Sequence, residues 1–419
     1  MRKRRRRQKS WQKSCFFLRM VFLCFLLTGC AGREVLDEIP KDFILSWGET
    51  ETVSEEEEEE SSSEEEEPAE CFLMEEASSF AYKSLNEAER AWYRDMERIL
   101  GGFQEEGVLS RTGLEGGLDD TCIDKVFQCV LSDHPELFYV EGYSYVKYAI
   151  GNKITALHFS GTYSMDLETA VVRREEIRAA VEELAAGISE DASDYEKVKY
   201  VYETLIRNTD YDLEAPDNQN IYSVFVRHFS VCQGYAKATQ YLLNFLGVEC
   251  TLVLGTVESG EGHAWNLVKV DGDYYYVDTT WGDVSYRTDG SGENGEISMP
   301  EINYDYLNVT TEELLRTHSI GGEVPMPLCT AKTANYYVQE GALFTAYDRE
   351  QMAALFQKAA GSGQNDITVK CADAACYEEI LRILIEDQEI FQFLAEGESR
   401  IAYAQNEKQL SLTFWVTNE

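Results

Sequence analysis

The sequence predicts an α+β fold, and three observations carry that expectation. Apolar residues recur at helical spacing in several segments, as in Phe80, Leu85, Ala88, Trp92, Met96 and Ile99. Two further segments, 263–270 and 273–280, flank Asp271-Gly272, a dipeptide that favours a two-residue hairpin turn between antiparallel strands. Between these regions Tyr235, Thr239, Leu242 and Leu246 share one helical face, with Cys232 at its start and Gly247 at its end. Composition permits such a fold. The chain has 419 residues, 44% apolar and 12% aromatic, enough for a sizeable core and two or three domains. A formal net charge of −39 argues against nucleic acid or anionic headgroups as partners of the folded part. No run of about 20 apolar residues occurs, which excludes a bundle of membrane-spanning helices.

The N-terminus departs from the acidic pattern. Residues 1–29 hold nine basic side chains and no carboxylate, followed from Met20 by a short apolar stretch and then Thr28-Gly29-Cys30. A basic region, a short apolar region and small residues make an export signal, with an uncleaved anchor as the alternative. Leu27-Thr28-Gly29-Cys30 resembles the lipobox of bacterial lipoproteins. That resemblance implies a signal peptide over 1–29, a lipid on Cys30, and a chain exported and anchored to the outer face of the bacterial cell membrane. Residues 30–75 read as an acidic disordered tether: 55–60 and 64–67 are all Glu, ten of thirteen consecutive positions. Like charges at that density repel and leave nothing to bury.

Residues 76–190 read as a mainly helical N-terminal region with a β-hairpin. Amphipathic pieces cover 76–99 and 119–131, and an alternating pair of strands at 143–150 and 153–159 is joined by Gly151-Asn152. A charged helix over 166–186 has Leu167, Val171, Ile177, Val181 and Leu184 as its buried stripe, and another helix covers 193–208. Residues 191–325 hold the chemistry, with an exposed loop at 286–300. Residues 326–419 read as a small separate α/β domain: helices at 346–360 and 378–386, strands at 367–370 and 410–416.

Three short segments point to thiol chemistry. Val231-Cys232-Gln233-Gly234-Tyr235-Ala236 puts a cysteine at the first turn of a helix, where free N–H groups and the positive end of the dipole stabilise a thiolate. Such a nucleophile needs a base. In His263-Ala264-Trp265-Asn266 and Tyr276-Val277-Asp278-Thr279-Thr280-Trp281, a two-residue turn at Asp271-Gly272 pairs Val270 with Asp273. Asp278 then falls opposite Trp265, diagonal to His263 on the same face and within side-chain reach. A three-residue loop would throw Asp278 to the other face. The register therefore predicts a carboxylate orienting an imidazole, on the face turned toward Cys232. Taken singly, each residue also reads as ordinary packing, scaffold or a cap.

These segments resemble the motifs of the transglutaminase-like superfamily in its bacterial extracytoplasmic branch. The resemblance is strong over 195–283, and His134-Pro135-Glu136-Leu137-Phe138 and 194–212 are similar to segments preceding that domain. It implies a papain-like core, with the cysteine on a central helix and the other two residues on adjacent antiparallel strands. It implies Cys232 as nucleophile, His263 as base and acid, Asp278 as orienter, and Trp265, Asn266 and Trp281 as residues lining or bracing the site. Where the family has an acidic residue after the last Trp, this chain has Gly282 and then Asp283. The motif implies no cofactor and no metal. The acyl group on Cys232 passes to water or to an amine, and the motif does not choose. The expected substrate is a protein or cell-wall peptide, the expected membrane contact is the lipid, and the chain is read as a monomer. The alternative function is a catalytically silent, lipid-anchored binding or assembly module of the same fold.

Of the remaining cysteines, 71, 122, 129, 250, 329, 371 and 376 make an odd set that does not suit a complete disulfide framework. Cys122, Cys129 and His134 lack zinc-finger spacing. His228 is the rival base by sequence proximity, and nothing in the sequence positions it.

Overall fold

The computed structural model describes residues 50–52, 79–284, 300–364, 366–394 and 400–416. The export signal, nearly all of the tether and nearly all of the loop expected at 286–300 lie outside the described residues. Among those described, no helix is long and apolar enough to cross a membrane.

The first amphipathic segment is two helices, because Asn86 interrupts it. Its side chain accepts from the Glu89 N–H while the Glu89 carboxylate accepts from the Asn86 N–H, a reciprocal cap that starts a new helix. A short helix, Phe80–Ser84, therefore precedes α1 (Glu87–Gly101), which buries Trp92, Met96 and Ile99 against α2 (Ile123–Asp133). The hairpin β1 (Val140–Ile150) and β2 (Lys153–Tyr163) turns at Gly151-Asn152, with Ile150 opposite Lys153. Next come α3 (Leu167–Ala185), capped by Asp166, and α4 (Asp194–Asn208), capped by Ser193 with Glu196.

The central layer is α5 (Cys232–Phe245) packed on a four-stranded antiparallel sheet. Its strands are β3 (Cys250–Val257), β4 (Gly262–Val270), β5 (Asp273–Val277) and β6 (His318–Ile320), in the order β6-β3-β4-β5. Asp271 and Gly272 have φ of 51° and 93°, the left-handed pair a type I′ turn requires. The ladder runs from Val270–Asp273 to Asn266–Val277, the register expected from the dipeptide. Segment 303–309 seals the β5 edge, Tyr276 and Val309 exchanging both backbone bonds at 2.9 Å.

The C-terminal part forms a further four-stranded sheet, of order β7-β8-β10-β9. Its elements are β7 (Leu343–Phe344), α6 (Arg349–Ser362), β8 (Asp366–Cys371), α7 (Ala374–Leu381), β9 (Ile401–Asn406) and β10 (Ser411–Val416). The helix expected from residue 346 starts at Arg349, because the Asp348 carboxylate caps Glu350 and Gln351. Strand β9 carries no clear alternation and was not anticipated. This part is not separate in its packing: one buried apolar cluster runs from Ala81 to Phe414. Asp305, in the segment that seals β5, is gripped by it, accepting from Ser411 Oγ (2.6 Å), Asn406 Nδ2 (2.8 Å), Tyr337 Oη (2.9 Å) and Lys370 Nζ (3.4 Å).

A buried imidazole ties α1 to the segment after α2. His134 Nε2 lies 3.0 Å from Glu97 Oε1, and Nδ1 lies 2.8 Å from Glu136 Oε1. Burial disfavours the imidazolium, but the two carboxylates outweigh it and raise His134 to about 10. Beside it the Asp133 carboxylate accepts the N–H groups of Ala81 and Tyr82, both at 2.9 Å.

Two stability measurements test these locks. Asp305→Ala leaves the buried Lys370 ammonium with Gln409 Oε1 (3.3 Å) but no counter-charge and should cost about 3–5 kcal/mol in denaturant unfolding, whereas Lys370→Met leaves Asp305 with three donors and should cost about 1 kcal/mol. A folded-state pKa above the unfolded value means that the His134 contribution is complete below about pH 6.5 and is lost as pH rises toward about 10. His134→Gln should therefore destabilise by about 3 kcal/mol near pH 6 and by progressively less toward pH 10. A pH-independent difference would contradict the charged pairing.

Candidate active site

Cys232 is the first residue of α5, and the cap residue Val231 makes no side-chain hydrogen bond to the first turn. The N–H groups there remain available to a developing negative charge beside the sulfur. The helix is pinned at several points. Asn266 Nδ2 donates to Ala236 O (2.9 Å), Gln240 Nε2 to Ser132 O (2.7 Å), and Thr239 and Thr279 share a hydroxyl bond of 2.8 Å. Asp283, the acidic residue displaced by Gly282, is buried and meets the Tyr235 hydroxyl at 2.9 Å.

Pairing of β4 with β5 stops one residue before Asp278, whose N–H, on the outer edge of β5 like that of Tyr276, donates to Tyr306 O (3.0 Å). The chain turns there into a short helix, Thr279–Gly282, and Asp278 Oδ1 caps it by accepting from Trp281 N at 3.0 Å. That leaves Oδ2 to face His263, whose Nε2 lies 2.7 Å away. The ring's remaining nitrogen, Nδ1, is not used by Asp278, and the Cys232 side chain lies near enough to the imidazole to favour its charged form. Cys232 is 5% exposed, His263 2% and Asp278 1%. The structure thus joins His263 to Asp278, and places Cys232, also buried, at the start of the neighbouring helix.

Their placement differs from expectation in one respect. His263 is not on the sheet face covered by α5. Ala264 packs against Ala236 of that helix, so strand alternation turns Trp265 to the opposite face, and His263 with it. Cys232 and His263 stand at the rim, where α5 and β4 both begin. Asn266 accordingly does not line the site; it braces α5. Trp265 and Trp281 do line it, their ring centroids 5.9 and 6.1 Å from that of His263. His228 is exposed, at the end of a single helical turn with φ 62°.

A residue the motifs did not flag completes the cluster. His318 Nε2 lies 3.0 Å from the same Asp278 Oδ2, and its Nδ1 is 2.8 Å from Thr317 Oγ1. It sits in β6, with β3 between it and β4. Gly255 on β3 pairs with His263 on one side and Ile320 on the other. A Cβ at Gly255 would fall 2.1 Å from Ser319 O and 2.5 Å from the Trp265 ring, so only glycine lets these strands and the indole approach as they do. The signal for His318, Thr317-His318-Ser319-Ile320 before Gly321-Gly322, is too short for periodicity to read as a strand.

Electrostatics follow from burial and pairing. Burial opposes charge on both members, yet the His263 charge and the two imidazole hydrogen bonds hold the Asp278 carboxyl far below the usual range. Burial likewise opposes the His263 imidazolium, and the Asp278 charge and hydrogen bond overcome it and raise His263. The donor atoms of His263, Asp278 and His318 lie within 4.8 Å of one another, a set that a divalent cation could in principle use. Contacts of 2.7 and 3.0 Å are hydrogen-bond lengths, and with both Nε2–H groups directed at the carboxylate a cation would have to displace two protons. The arrangement suits proton transfer between a thiol and an imidazole.

Comparison with known proteins agrees over this region. Residues 182–279 match the family model described as the Transglutaminase-like superfamily. Two curated relatives, the mouse (Mus musculus) and human (Homo sapiens) proteins named Kyphoscoliosis peptidase, are 28% identical over 123 residues and 26% over 122. Each match covers 25% of this chain, and 19% and 18% of the relatives, so the chain spans under a fifth of their length. Among solved structures, a TGase overlaps 38% of this chain and 53% of its own at 15% identity and a TM-score of 0.24. The periplasmic domain of TgpA from Pseudomonas aeruginosa overlaps 30% and 53%, at 18% identity and a TM-score of 0.19. Residues 182–279, which hold Cys232, His263 and Asp278, thus match a transglutaminase-like domain, a fold of mixed helices and sheets.

Proposed function

We propose that this protein is a thiol enzyme that forms an acyl-enzyme on Cys232 from an amide of a peptide or protein. The observation that carries the reading is the buried His263–Asp278 pair, its imidazole fixed at 2.7 Å from the carboxylate, with buried Cys232 beside it at the start of α5. Transfer of the Cys232 proton to His263 Nδ1 gives the imidazolium that Asp278 favours, and the thiolate sulfur attacks the carbonyl carbon. The oxygen that gains charge is met by the first N–H groups of α5. The C–N bond then breaks as the imidazolium returns its proton to the departing amine, leaving a thioester. Water or a primary amine attacks that thioester, His263 accepts its proton, and the thiol is restored.

Hydrolysis is the favoured outcome. Transfer to an amine requires that water be excluded, and an exported enzyme works in abundant water. The name peptidase carried by the curated relatives is consistent with this preference. Export and attachment to the outer face of the membrane through Cys30 rest on Leu27-Thr28-Gly29-Cys30 and the basic, apolar stretch before it. The substrate class is a protein or cell-wall peptide within reach of that surface.

Incubating the protein with a peptide library and a labelled primary amine tests the reading. Cleaved peptides that vanish with Cys232→Ala are expected. Amine incorporation without cleavage would make the enzyme a transferase. Neither product, together with no acyl adduct on Cys232 by mass spectrometry, would overturn catalysis in favour of a silent binding module.

A further inference from the structure

We infer that His318 is a positioning residue for the thiol–imidazole pair, holding the Asp278 carboxylate by the same oxygen that orients His263. The inference rests on the thiol chemistry proposed above, but its observations are independent of the motif. A carboxylate only accepts, so His318 must present Nε2–H to Asp278 Oδ2 across their 3.0 Å contact. With that tautomer Nδ1 is an acceptor, and the Thr317 hydroxyl, 2.8 Å away, donates to it. The Thr317 oxygen in turn accepts from the Tyr306 hydroxyl at 3.3 Å. In this arrangement the protons of the buried series point toward Asp278, with Leu314 O, 3.5 Å from Thr317 Oγ1, as a longer competing acceptor.

Both ring nitrogens of His318 are thereby committed, so it is not a base for Cys232. Its effect is mechanical and electrostatic. Asp278 would otherwise be held by the Trp281 N–H and His263 alone; the second imidazole, arriving from β6, makes the carboxylate a strap between strands that do not pair directly. Rotation of the carboxylate then breaks two imidazole bonds at once. A second donor on Oδ2 also draws charge from it, which moderates its pull on the His263 proton. The rings stand together, the centroid of His318 being 5.5 Å from His263, 4.7 Å from Trp281 and 5.1 Å from Trp265.

The test combines iodoacetamide labelling of Cys232 with NMR of protein carrying ¹⁵N-histidine. Native protein should show hydrogen-bonded Nε2–H signals from His263 and His318 beside that of His134, which Glu97 holds. His318→Phe should slow Cys232 labelling about tenfold or more and shift or broaden the His263 signal. His318→Gln, whose amide N–H can reach the same oxygen, should restore both. An unchanged rate and His263 signal in His318→Phe, or equal losses with Phe and Gln, would overturn the assignment. If His318→Phe does not fold, the near-isosteric Thr317→Val removes only the hydroxyl; it should displace the His318 ring signals and slow labelling, and no change in either would overturn it. His263→Ala separates the two readings: if it leaves Cys232 labelling unchanged, the thiol chemistry fails whatever His318 does.

Discussion

One oxygen atom organises this site. Asp278 Oδ2 is buried, ionised and shared by two imidazoles at 2.7 and 3.0 Å. Everything around it serves to keep that carboxylate charged where charge is expensive. A lone carboxylate at this depth would take up a proton; two N–H donors, a backbone cap through Oδ1 and the His263 charge keep it from doing so. The same contacts fix the tautomer of His263, and so decide which ring nitrogen meets Cys232. Loss of the charge would remove the reason for every other polar group to be there.

The supports of Asp278 come from far along the chain. Its N–H is held by Tyr306 O, and Tyr306 also packs against Trp281 and His318, with centroids 5.2 and 5.5 Å away. One residue earlier, Asp305 is clasped by side chains of β8, β9 and β10. The C-terminal sheet is thus connected to the Asp278 carboxylate through two consecutive residues. A buried ion pair such as Lys370–Asp305 adds little net stability, but its directional bonds fix where segment 303–309 lies. That segment, leading on to β6, delivers both the backbone acceptor for Asp278 and His318.

Local chemistry made part of this legible in the sequence. Asp271-Gly272 has one favoured turn, so the register of β4 and β5 and the approach of Asp278 to His263 follow from parity. Helices α3 and α4 begin at Asp166 and Ser193 because short polar side chains cap them. What escaped notice depends on long-range closure. His318 sits in a three-residue strand whose meaning comes from pairing with β3, more than 60 positions upstream. The side of the sheet taken by α5 depends on where the helix packs, which hairpin register does not determine. Nor do propensities distinguish a sheet that stands alone from one sharing its core, and the C-terminal sheet shares.

The central claim is that a charged Asp278 makes Cys232 a nucleophile through His263. The most direct measurement compares rates of carbamidomethylation at Cys232 and at Cys122, a partly exposed thiol with no imidazole among its contacts. In the native protein Cys232 should react faster despite its burial. Asp278→Asn keeps the shape but reverses the tautomer preference of His263, and should slow Cys232 by about a hundredfold or more while leaving Cys122 unchanged. A Cys232 that reacts no faster than Cys122, or that is indifferent to Asp278→Asn, would contradict the account.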